Sequence, residues 1–385
     1  MLPVVVQTEK YVFGGSCISK LANGKTLFVP LALPDERLKV EIVKERTDYC
    51  EGRVVDILVP SPYRVVPKCK YFSFCGGCDL QMISNAEQHR LREMSTKELM
   101  ERSHIKLDFP IEFVSKSDWQ YRNRFQLHRH NKKIGFLGRR GHSIVHVKDC
   151  PIACEEMRKY LKASSTFDDK EVSGSAKIER LHAFGYNGNL WLEERDDRVK
   201  LKLLGRDFAF FPQSFFQSNV EMLGQLVAVL TEYIGSVDRL LDFYSGIGTF
   251  SVFFANNAKE LHLVEWNKYS VEMARVNLEK AKTESSAKIF FHCLNSEKWR
   301  EKKEAKLFYD VAIVDPPRSG IDKVSLGWFC RRNVQKILYV SCDPATFSRD
   351  ASFLVLNAGY KLQRCYFLDF YPQTHHLEVL GIFTL

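Results

Sequence analysis

The sequence lacks any apolar stretch long enough to cross a bilayer. A membrane-spanning helix needs roughly 18 consecutive apolar residues, and runs such as Leu338–Val340 and Phe250–Ala255 are far shorter. Met1–Lys10 lacks the basic start, apolar core and small-residue cleavage site of a secretory signal. No internal repeat or low-complexity segment is visible. We therefore expect a cytoplasmic protein with no membrane partner, and no obligate protein partner is evident.

The chain does contain enough apolar material for several folded cores. Its 385 residues suggest two or three domains, and 45% hydrophobic with 27% charged residues excludes a disordered or collagen-like chain. Residues 1–58 form short strand-like runs with a hairpin signal at Asn23-Gly24, which predicts a small OB-like β-barrel. Residues 59–211 predict a mainly β central domain with a helix over about 85–103. In residues 212–385 strands alternate with helices, which predicts a doubly wound α/β domain.

Positive charge is concentrated between Lys116 and Lys148. This window holds nine basic residues against the single acidic residue Asp118, so it carries +8 of the formal +9. The basic residues are Lys116, Arg122, Arg124, Arg129, Lys132, Lys133, Arg139, Arg140 and Lys148. Aromatic residues are interleaved with them, and cations beside stacking surfaces suit single-stranded nucleic acid. The alternative is an ordinary solvated basic face.

The eleven cysteines are an odd number in a chain without a signal, which favours metal binding or catalysis over disulfides. Cys69, Cys75 and Cys78 form one group with two glycines between the last two, and Cys150-Pro151 follows 72 residues after Cys78. Four thiolates in this pattern suit structural zinc or a 4Fe–4S cluster. Three grouped ligands and a remote fourth favour the cluster, and the Cys-x3-Cys-x2-Cys pattern of radical enzymes is absent.

A glycine turn follows the first strand of the α/β region. Leu241–Phe250 runs from a hydrophobic strand through Gly246-x-Gly248 into a helix, and Glu265 ends the next strand, placed to accept both hydroxyls of a ribose. A dinucleotide fingerprint would have a third glycine where Ser251 stands. The pattern therefore favours S-adenosylmethionine over NAD, although a tight strand–helix turn is the simpler explanation for such glycines.

Three further motifs lie at strand ends. Asp315-Pro316-Pro317-Arg318 ends the fourth strand, where such a turn shapes the mouth of a substrate pocket. Cys342 follows the fifth strand close to a helix start, and a helix N-terminus can lower a thiol pKa. Glu378 opens the last strand. Each has an ordinary alternative: a plain turn, an inert buried cysteine and a surface glutamate in a salt bridge.

Together, in this order and spacing, the five motifs resemble those of the 5-methyluridine RNA methyltransferases that act on 23S ribosomal RNA. The resemblance covers essentially the whole chain. It implies an N-terminal TRAM domain of OB type (1–58), a central domain with a 4Fe–4S cluster (59–211) and a Rossmann-like, class I methyltransferase domain (212–385). The cluster ligands would be Cys69, Cys75, Cys78 and Cys150.

The resemblance also assigns roles within the catalytic domain. It implies that Cys342 is the nucleophile and Glu378 the base that removes the C5 proton. Residues that bind the methyl donor, S-adenosylmethionine, would be Gln217, Tyr244, Glu265 and Asp315. The tRNA-specific relatives are expected to lack the TRAM and cluster regions, which favours 23S ribosomal RNA as the partner.

Three positions depart from the family pattern, which more often has Asn at Asp343, Asn at Thr249 and Cys at Ser245. The charge of Asp343 beside Cys342 is expected to raise the thiol pKa. The implied chemistry adds the Cys342 thiolate to C6 of uracil, so that C5 attacks the sulfonium methyl group, and requires a flipped or unpaired base. Alternatives are a tRNA uridine-C5 methyltransferase, a non-catalytic RNA-binding or ribosome-assembly protein, an N- or O-directed methyltransferase, and a zinc-bearing NAD enzyme.

Overall fold

The computed structural model describes residues 3–130, 133–139, 141, 143–164, 178–196, 198–279, 286–331 and 333–385. The strands within these ranges are β1 Val4–Val12, β2 Ser16–Lys20, β3 Thr26–Pro30, β4 Arg37–Glu45, β5 Tyr49–Val59, β6 Glu112–Val114, β7 Arg124–His130, β8 Lys133–Leu137, β9 Ile144–Val145, β10 Glu179–Tyr186, β11 Asn189–Leu192, β12 Val199–Leu203, β13 Arg206–Phe210, β14 Val237–Phe243, β15 Ala258–Glu265, β16 Lys288–Cys293, β17 Tyr309–Val314, β18 Val334–Ser341, β19 Lys361–Leu368 and β20 Glu378–Thr384. The α-helices there are Asn85–Arg102, Glu155–Ser164, Val220–Ile234, Thr249–Phe254, Lys268–Asn277, Ser296–Glu301, Lys323–Phe329 and Pro344–Leu356. None of the helices in these ranges is long and apolar enough to span a membrane.

The first five strands close into a barrel in the order β1-β2-β3-β5-β4, which confirms the predicted N-terminal β-barrel. Its strands alternate buried and exposed positions, so that Leu27, Val29 and Val40 fill the interior. The β2–β3 hairpin turns at Asn23-Gly24, where Gly24 has a φ of +80° and Leu21 and Lys25 close the turn through their backbones. The predicted hairpin is therefore confirmed, because glycine adopts this φ without steric cost.

The C-terminal part is built on an eight-stranded sheet with the order β16-β15-β14-β17-β18-β20-β19-β6. Strands β14 to β18 run parallel to one another, whereas β20 is antiparallel to both β18 and β19. Successive residues of β14 face opposite layers, with Leu240 in one hydrophobic cluster and Leu241 in the other. Both faces are therefore covered, as a parallel sheet requires, and the predicted Rossmann-like core is confirmed.

The segment 59–211 does not pack as one unit. Its strand β6 pairs with β19 and extends the catalytic sheet, and the hairpin β12–β13 buries Leu201 and Phe208 against the same core as the helix Val220–Ile234. Only β7 to β11 form a separate five-stranded sheet, in the order β11-β10-β7-β8-β9. The mainly β character was predictable, but the pairing of three residues with a strand some 250 positions later was not.

Candidate active site

Cys342 and Glu378 meet at the carboxyl edge of the parallel strands. In the antiparallel pair of β18 and β20, Ser341 lies opposite Val379, so the next step in register sets Cys342 opposite Glu378. The two residues come from strands that are adjacent in the sheet although 36 positions separate them in the chain. Open α/β sheets bind ligands at this edge, and the antiparallel direction of β20 is what brings its first residue there.

Asp315 and the glycine turn complete the same edge. Asp315 follows β17, and its backbone N–H donates to Phe243 O at 3.3 Å. Tyr244 follows β14 with a φ of +67°, an uncommon conformation for a non-glycine residue. Its hydroxyl donates to Asp322 Oδ2 at 2.7 Å, so we expect its ring or backbone, rather than its hydroxyl, to face a methyl donor.

Glu265 ends β15 with both carboxylate oxygens held in place. Gly246 N–H donates to Oε2 at 3.1 Å and Asn267 N–H donates to Oε1 at 2.7 Å. These contacts tie the acidic side chain to the glycine turn and orient it at the sheet edge. The arrangement fits the sequence prediction of a carboxylate beside an adenosine, because each oxygen keeps a lone pair for a ribose hydroxyl.

The electrostatics of the pocket disfavour a free thiolate. Burial raises the pKa of the Cys342 thiol to about 12, with the carboxylates Glu378, Asp315 and Asp343 adding to the effect and the Arg318 guanidinium opposing it. Burial and the three carboxylates thus act against the lowering of the pKa that a helix start could produce. The expected effect of Asp343, by contrast, has the right direction.

Two carboxyl groups in the pocket share this environment. Burial raises the pKa of Glu378, and the nearby Asp315 raises it further while Arg318 lowers it. Burial and Asp242 likewise raise the pKa of Asp315. Each carboxyl group therefore titrates closer to neutral pH than an exposed one, which is typical of catalytic acids and bases.

Several buried polar atoms around this edge have no hydrogen-bond partner in the described residues. They include Gln217 Oε1, Asp242 Oδ1, Ser245 Oγ and Glu378 Oε2. Gln217 and Glu378 are only 4% and 2% exposed. Because an unsatisfied buried polar atom is costly, such a group marks a place where a ligand supplies the missing partners.

Comparison with known proteins identifies the family. A model described as tRNA (Uracil-5-)-methyltransferase matches residues 189–384. The chain is 40% identical to an uncharacterized RNA methyltransferase of Treponema denticola, over 98% of both chains. The chain belongs to the tRNA (uracil-5-)-methyltransferase family. It is also 30% identical to the 23S rRNA (uracil(1939)-C(5))-methyltransferase RlmD of Histophilus somni, over 96% of this chain and 93% of that one.

As a member of this family, the protein is an S-adenosylmethionine-dependent RNA uracil-5-methyltransferase, and the predicted enzyme class is confirmed. Among solved structures, the Pyrococcus abyssi tRNA (uracil-54, C5)-methyltransferase in complex with S-adenosyl-L-homocysteine has the same fold, with a TM-score of 0.73 at 22% identity. The match covers 100% of both chains. A protein named as a tRNA enzyme thus shares the fold over the full length, so the fold alone does not distinguish a tRNA target from a ribosomal RNA target.

Asn123, which the sequence analysis does not single out, holds the segment that carries Gln217. Asn123 N–H donates to Ser218 O at 2.6 Å, and its Oδ1 accepts from Val220 N–H at 3.1 Å. These contacts fix the loop that carries Gln217 beside the start of the helix Val220–Ile234. In the sequence, the only indication of a role for Asn123 is its position inside the basic window.

The four predicted metal-ligating cysteines are brought together. The loop with Cys75 bridges to Gly138, Tyr71 Oη accepts from Lys148 N–H at 3.1 Å, and burial and neighbouring thiols raise the pKa of Cys150 to about 12. All four are free thiols. Even so, across the ranges that the structure describes, no group of three or more Cys, His, Asp or Glu side chains is arranged to hold a metal ion.

The basic window is only partly available to RNA. Arg124 donates to Ser214 O at 3.0 Å and Gln213 O at 3.2 Å, and Arg129 pairs with two glutamates. Arg139 pairs with Asp79 at 2.8 Å. The window residues Lys132 and Arg140 lie outside the described residues. Composition showed the charge but not these internal partners.

Proposed function

We propose that this methyltransferase acts on C5 of one uridine in 23S ribosomal RNA through a covalent bond between Cys342 Sγ and C6 of the base. The observation that carries the proposal is that Cys342 directly follows β18 and the buried Glu378 opens the neighbouring antiparallel strand β20. A thiol and a base on facing strand ends suit a reaction in which the same carbon first gains a methyl group and then loses a proton.

The first step forms the Cys342 Sγ–C6 bond. The Cys342 thiol releases its proton to solvent, the thiolate adds to C6, and the electrons of the C5–C6 double bond move into an enolate at C4–O4. The enolate returns them through C5, which attacks the sulfonium methyl group. The methyl–sulfur bond breaks, and S-adenosylhomocysteine leaves with its electron pair.

The second step restores the aromatic ring. Glu378 accepts the remaining proton from C5, the C5–C6 double bond re-forms, and Cys342 leaves as a thiolate. The unpartnered Oε2 of Glu378 supports this role, since a base needs a lone pair that no protein donor occupies. The donor itself is proposed to lie between Gln217, Tyr244, Glu265 and Asp315, around the glycine turn.

Ribosomal RNA is the favoured target because of the relatives. Proteins named 23S rRNA (uracil(1939)-C(5))-methyltransferase RlmD, from Histophilus somni and Shewanella woodyi, are 30% and 28% identical over at least 94% of this chain. We expect the enzyme to act in the cytoplasm. Purified enzyme with labelled donor should methylate 23S ribosomal RNA, and nucleoside mapping should locate one 5-methyluridine. Methylation of tRNA alone would instead assign the enzyme to the tRNA branch.

We further propose that Cys69, Cys75, Cys78 and Cys150 hold a 4Fe–4S cluster. The proposal is supported by the electrostatic interaction among these thiols, since burial and the thiols of Cys150, Cys75 and Cys69 raise the pKa of Cys78. The thiols in such a cluster bind different irons, so they need not surround one ion. The bound cluster would supply a structural cross-link between the segments that carry Cys69–Cys78 and Cys150.

Iron analysis tests the cluster independently of activity. Protein purified without oxygen should be brown and carry about four irons per chain. Replacing Cys75 with Ser should abolish the colour, whereas replacing the exposed Cys330 with Ser should not. Stoichiometric zinc without iron would contradict the assignment.

The barrel is proposed as a TRAM domain of OB type that contacts the RNA, within the division 1–58, 59–211 and 212–385. The closure of β1 to β5 into a barrel supports the first of these bounds, and Leu80, Met82 and Leu91 of the central segment pack onto the barrel core. Photo-crosslinking of bound RNA, followed by peptide mapping, should place crosslinks in residues 1–58. Crosslinks confined to residues 212–385 would contradict an RNA-binding barrel.

A further inference from the structure

The segment Asp369–Leu377, here called the base strap, connects β19 to β20 and leads directly into Glu378. The catalytic carboxylate is therefore held at the end of a nine-residue connection rather than in the middle of a strand. Contacts that hold this connection in place also set the backbone position of Glu378 and hence the direction of its side chain. The contacts of the base strap thus bear on proton removal.

The cysteine loop, residues 69–80, contacts the base strap through Asp79 and Leu80. The Asp79 carboxylate bonds to His375 Nδ1 through Oδ2 at 2.6 Å and to Arg139 Nη1 through Oδ1 at 2.8 Å. The backbone N–H groups of Asp79 and Leu80 both donate to Gln373 O, at 2.9 and 3.0 Å. One residue next to Cys78 therefore joins the loop to the base strap by its side chain and its backbone.

Two other elements hold the base strap beside this contact. Gln88, on the helix Asn85–Arg102, exchanges two hydrogen bonds with Gln373, each of 2.9 Å. From the barrel, Gly15 approaches so closely that a Cβ there would lie 3.0 Å from His375 Cβ. His375 is thus enclosed between the barrel and the cysteine loop, three positions before Glu378.

The nucleophile is held by different contacts. Cys342 stands between the end of β18 and the helix Pro344–Leu356, whose first N–H groups are capped by Asp343. A change in the cysteine loop should therefore displace Glu378 without displacing Cys342. This difference makes the two steps of the reaction separable by experiment.

We propose that Asp79 and His375 form a positioning contact that couples the cysteine loop to Glu378, so that the loop governs removal of the C5 proton and not addition of the thiol. The proposal rests on the proposed role of Glu378 as the base. Asp79 and His375 are positioning residues, because they act through the base strap and touch no reacting atom.

The test compares Asp79→Asn with Asp149→Asn. Both changes remove a carboxylate next to a cysteine of the proposed cluster, but Asp149 pairs with Arg158 and Lys162 instead of the base strap. Asp79→Asn should lower kcat about tenfold and accumulate methylated RNA bound to Cys342, since small displacements of a catalytic group have effects of at least this size. Its KM and its rate of adduct formation should stay within about twofold of wild type, and Asp149→Asn should behave as wild type.

The variants His375→Asn and His375→Ala distinguish loss of the contact from misfolding. His375→Asn keeps a donor near the position of Nδ1 and should recover most of the turnover that His375→Ala loses. Iron content and the unfolding temperature are measured for every variant. We expect Asp79→Asn protein to keep the iron content of wild type and still to accumulate the adduct.

The coupling would be overturned if Asp79→Asn and Asp149→Asn had the same kcat and the same amount of adduct. It would also be overturned if Asp79→Asn lost adduct formation and turnover to the same extent. The Glu378→Gln variant distinguishes a failure of the coupling from a failure of the proposed role of Glu378. If Glu378→Gln accumulates the adduct and Asp79→Asn does not, the coupling fails while the proposed function stands. If Glu378→Gln turns over normally, the base assignment itself fails.

Discussion

Replacing Asp343 with Asn should accelerate attack by Cys342. Asp343 is one of three carboxylates that raise the pKa of this thiol, and its side chain also accepts from Ala345 N–H and Thr346 N–H, both at 2.9 Å. Asn is an equally good helix cap. The substitution therefore removes the charge and keeps the local structure.

The size of the effect follows from Coulomb's law. Two unit charges ~6 Å apart interact by about 0.7 kcal/mol in water and about 2.8 kcal/mol at an effective dielectric constant of 20. Because Asp343 is half-buried and its charge is already spread over two N–H donors, we expect about 1 kcal/mol, which corresponds to about fivefold more thiolate at a fixed pH.

The assay is the rate of adduct formation with RNA containing 5-fluorouridine, measured between pH 6 and 9. Since the thiol pKa is raised, the thiolate fraction and the rate should climb with pH, and the profile of Asp343→Asn should lie at lower pH. Asp343→Ser, which also caps without charge, should shift in the same direction, whereas Asp343→Glu should not. An unchanged or slower rate in both uncharged variants, with unfolding temperatures like wild type, would refute this electrostatic reasoning.

Two further predictions concern contacts away from the reacting atoms. Arg92→Met should cost about 3 kcal/mol of stability, because it removes both guanidinium hydrogen bonds of the buried Asp369 and leaves that carboxylate with His89; adding Asp369→Leu should recover part of it in thermal unfolding. Burial alone would raise the pKa of Asp369, but Arg92 and His89 hold it below its usual value, so this stabilisation should be present above about pH 4 and be lost as the pH falls further. Arg122→Gln should reduce the salt dependence of RNA binding by roughly one phosphate contact, because only Nε of its guanidinium donates to a backbone carbonyl among the described residues. Arg124→Gln should change it less, since two of its guanidinium nitrogens donate to backbone carbonyls; equal slopes for the two variants would contradict this distinction.

The sequence predicted the position of a candidate residue at the sheet edge where that residue lies at the end of its own strand. Glu265, Asp315 and Cys342 each follow a buried hydrophobic run, and parallel strands bring such ends to one edge. The same local patterns predicted the barrel hairpin and the helix Asn85–Arg102. In each case neighbouring residues alone carry the information.

The remaining features depend on partners that are remote in the chain. The Asp79–His375 contact joins residues 296 positions apart, and the internal partners of Arg124 lie about 90 positions away. Burial and the charge of Glu378, which raise the pKa of Cys342 most, were hidden for the same reason, because only the helix start and Asp343 are its neighbours in the sequence.

The most direct test of the account is a denaturing gel of enzyme mixed with RNA and S-adenosylmethionine. Wild-type enzyme with RNA containing 5-fluorouridine should give a shifted covalent band, because fluorine cannot leave as a cation. Glu378→Gln should give the band with ordinary RNA, and the trapped RNA should already be methylated. Cys342→Ala should give neither band nor product. Methylation by Cys342→Ala would contradict carbon methylation through a covalent adduct.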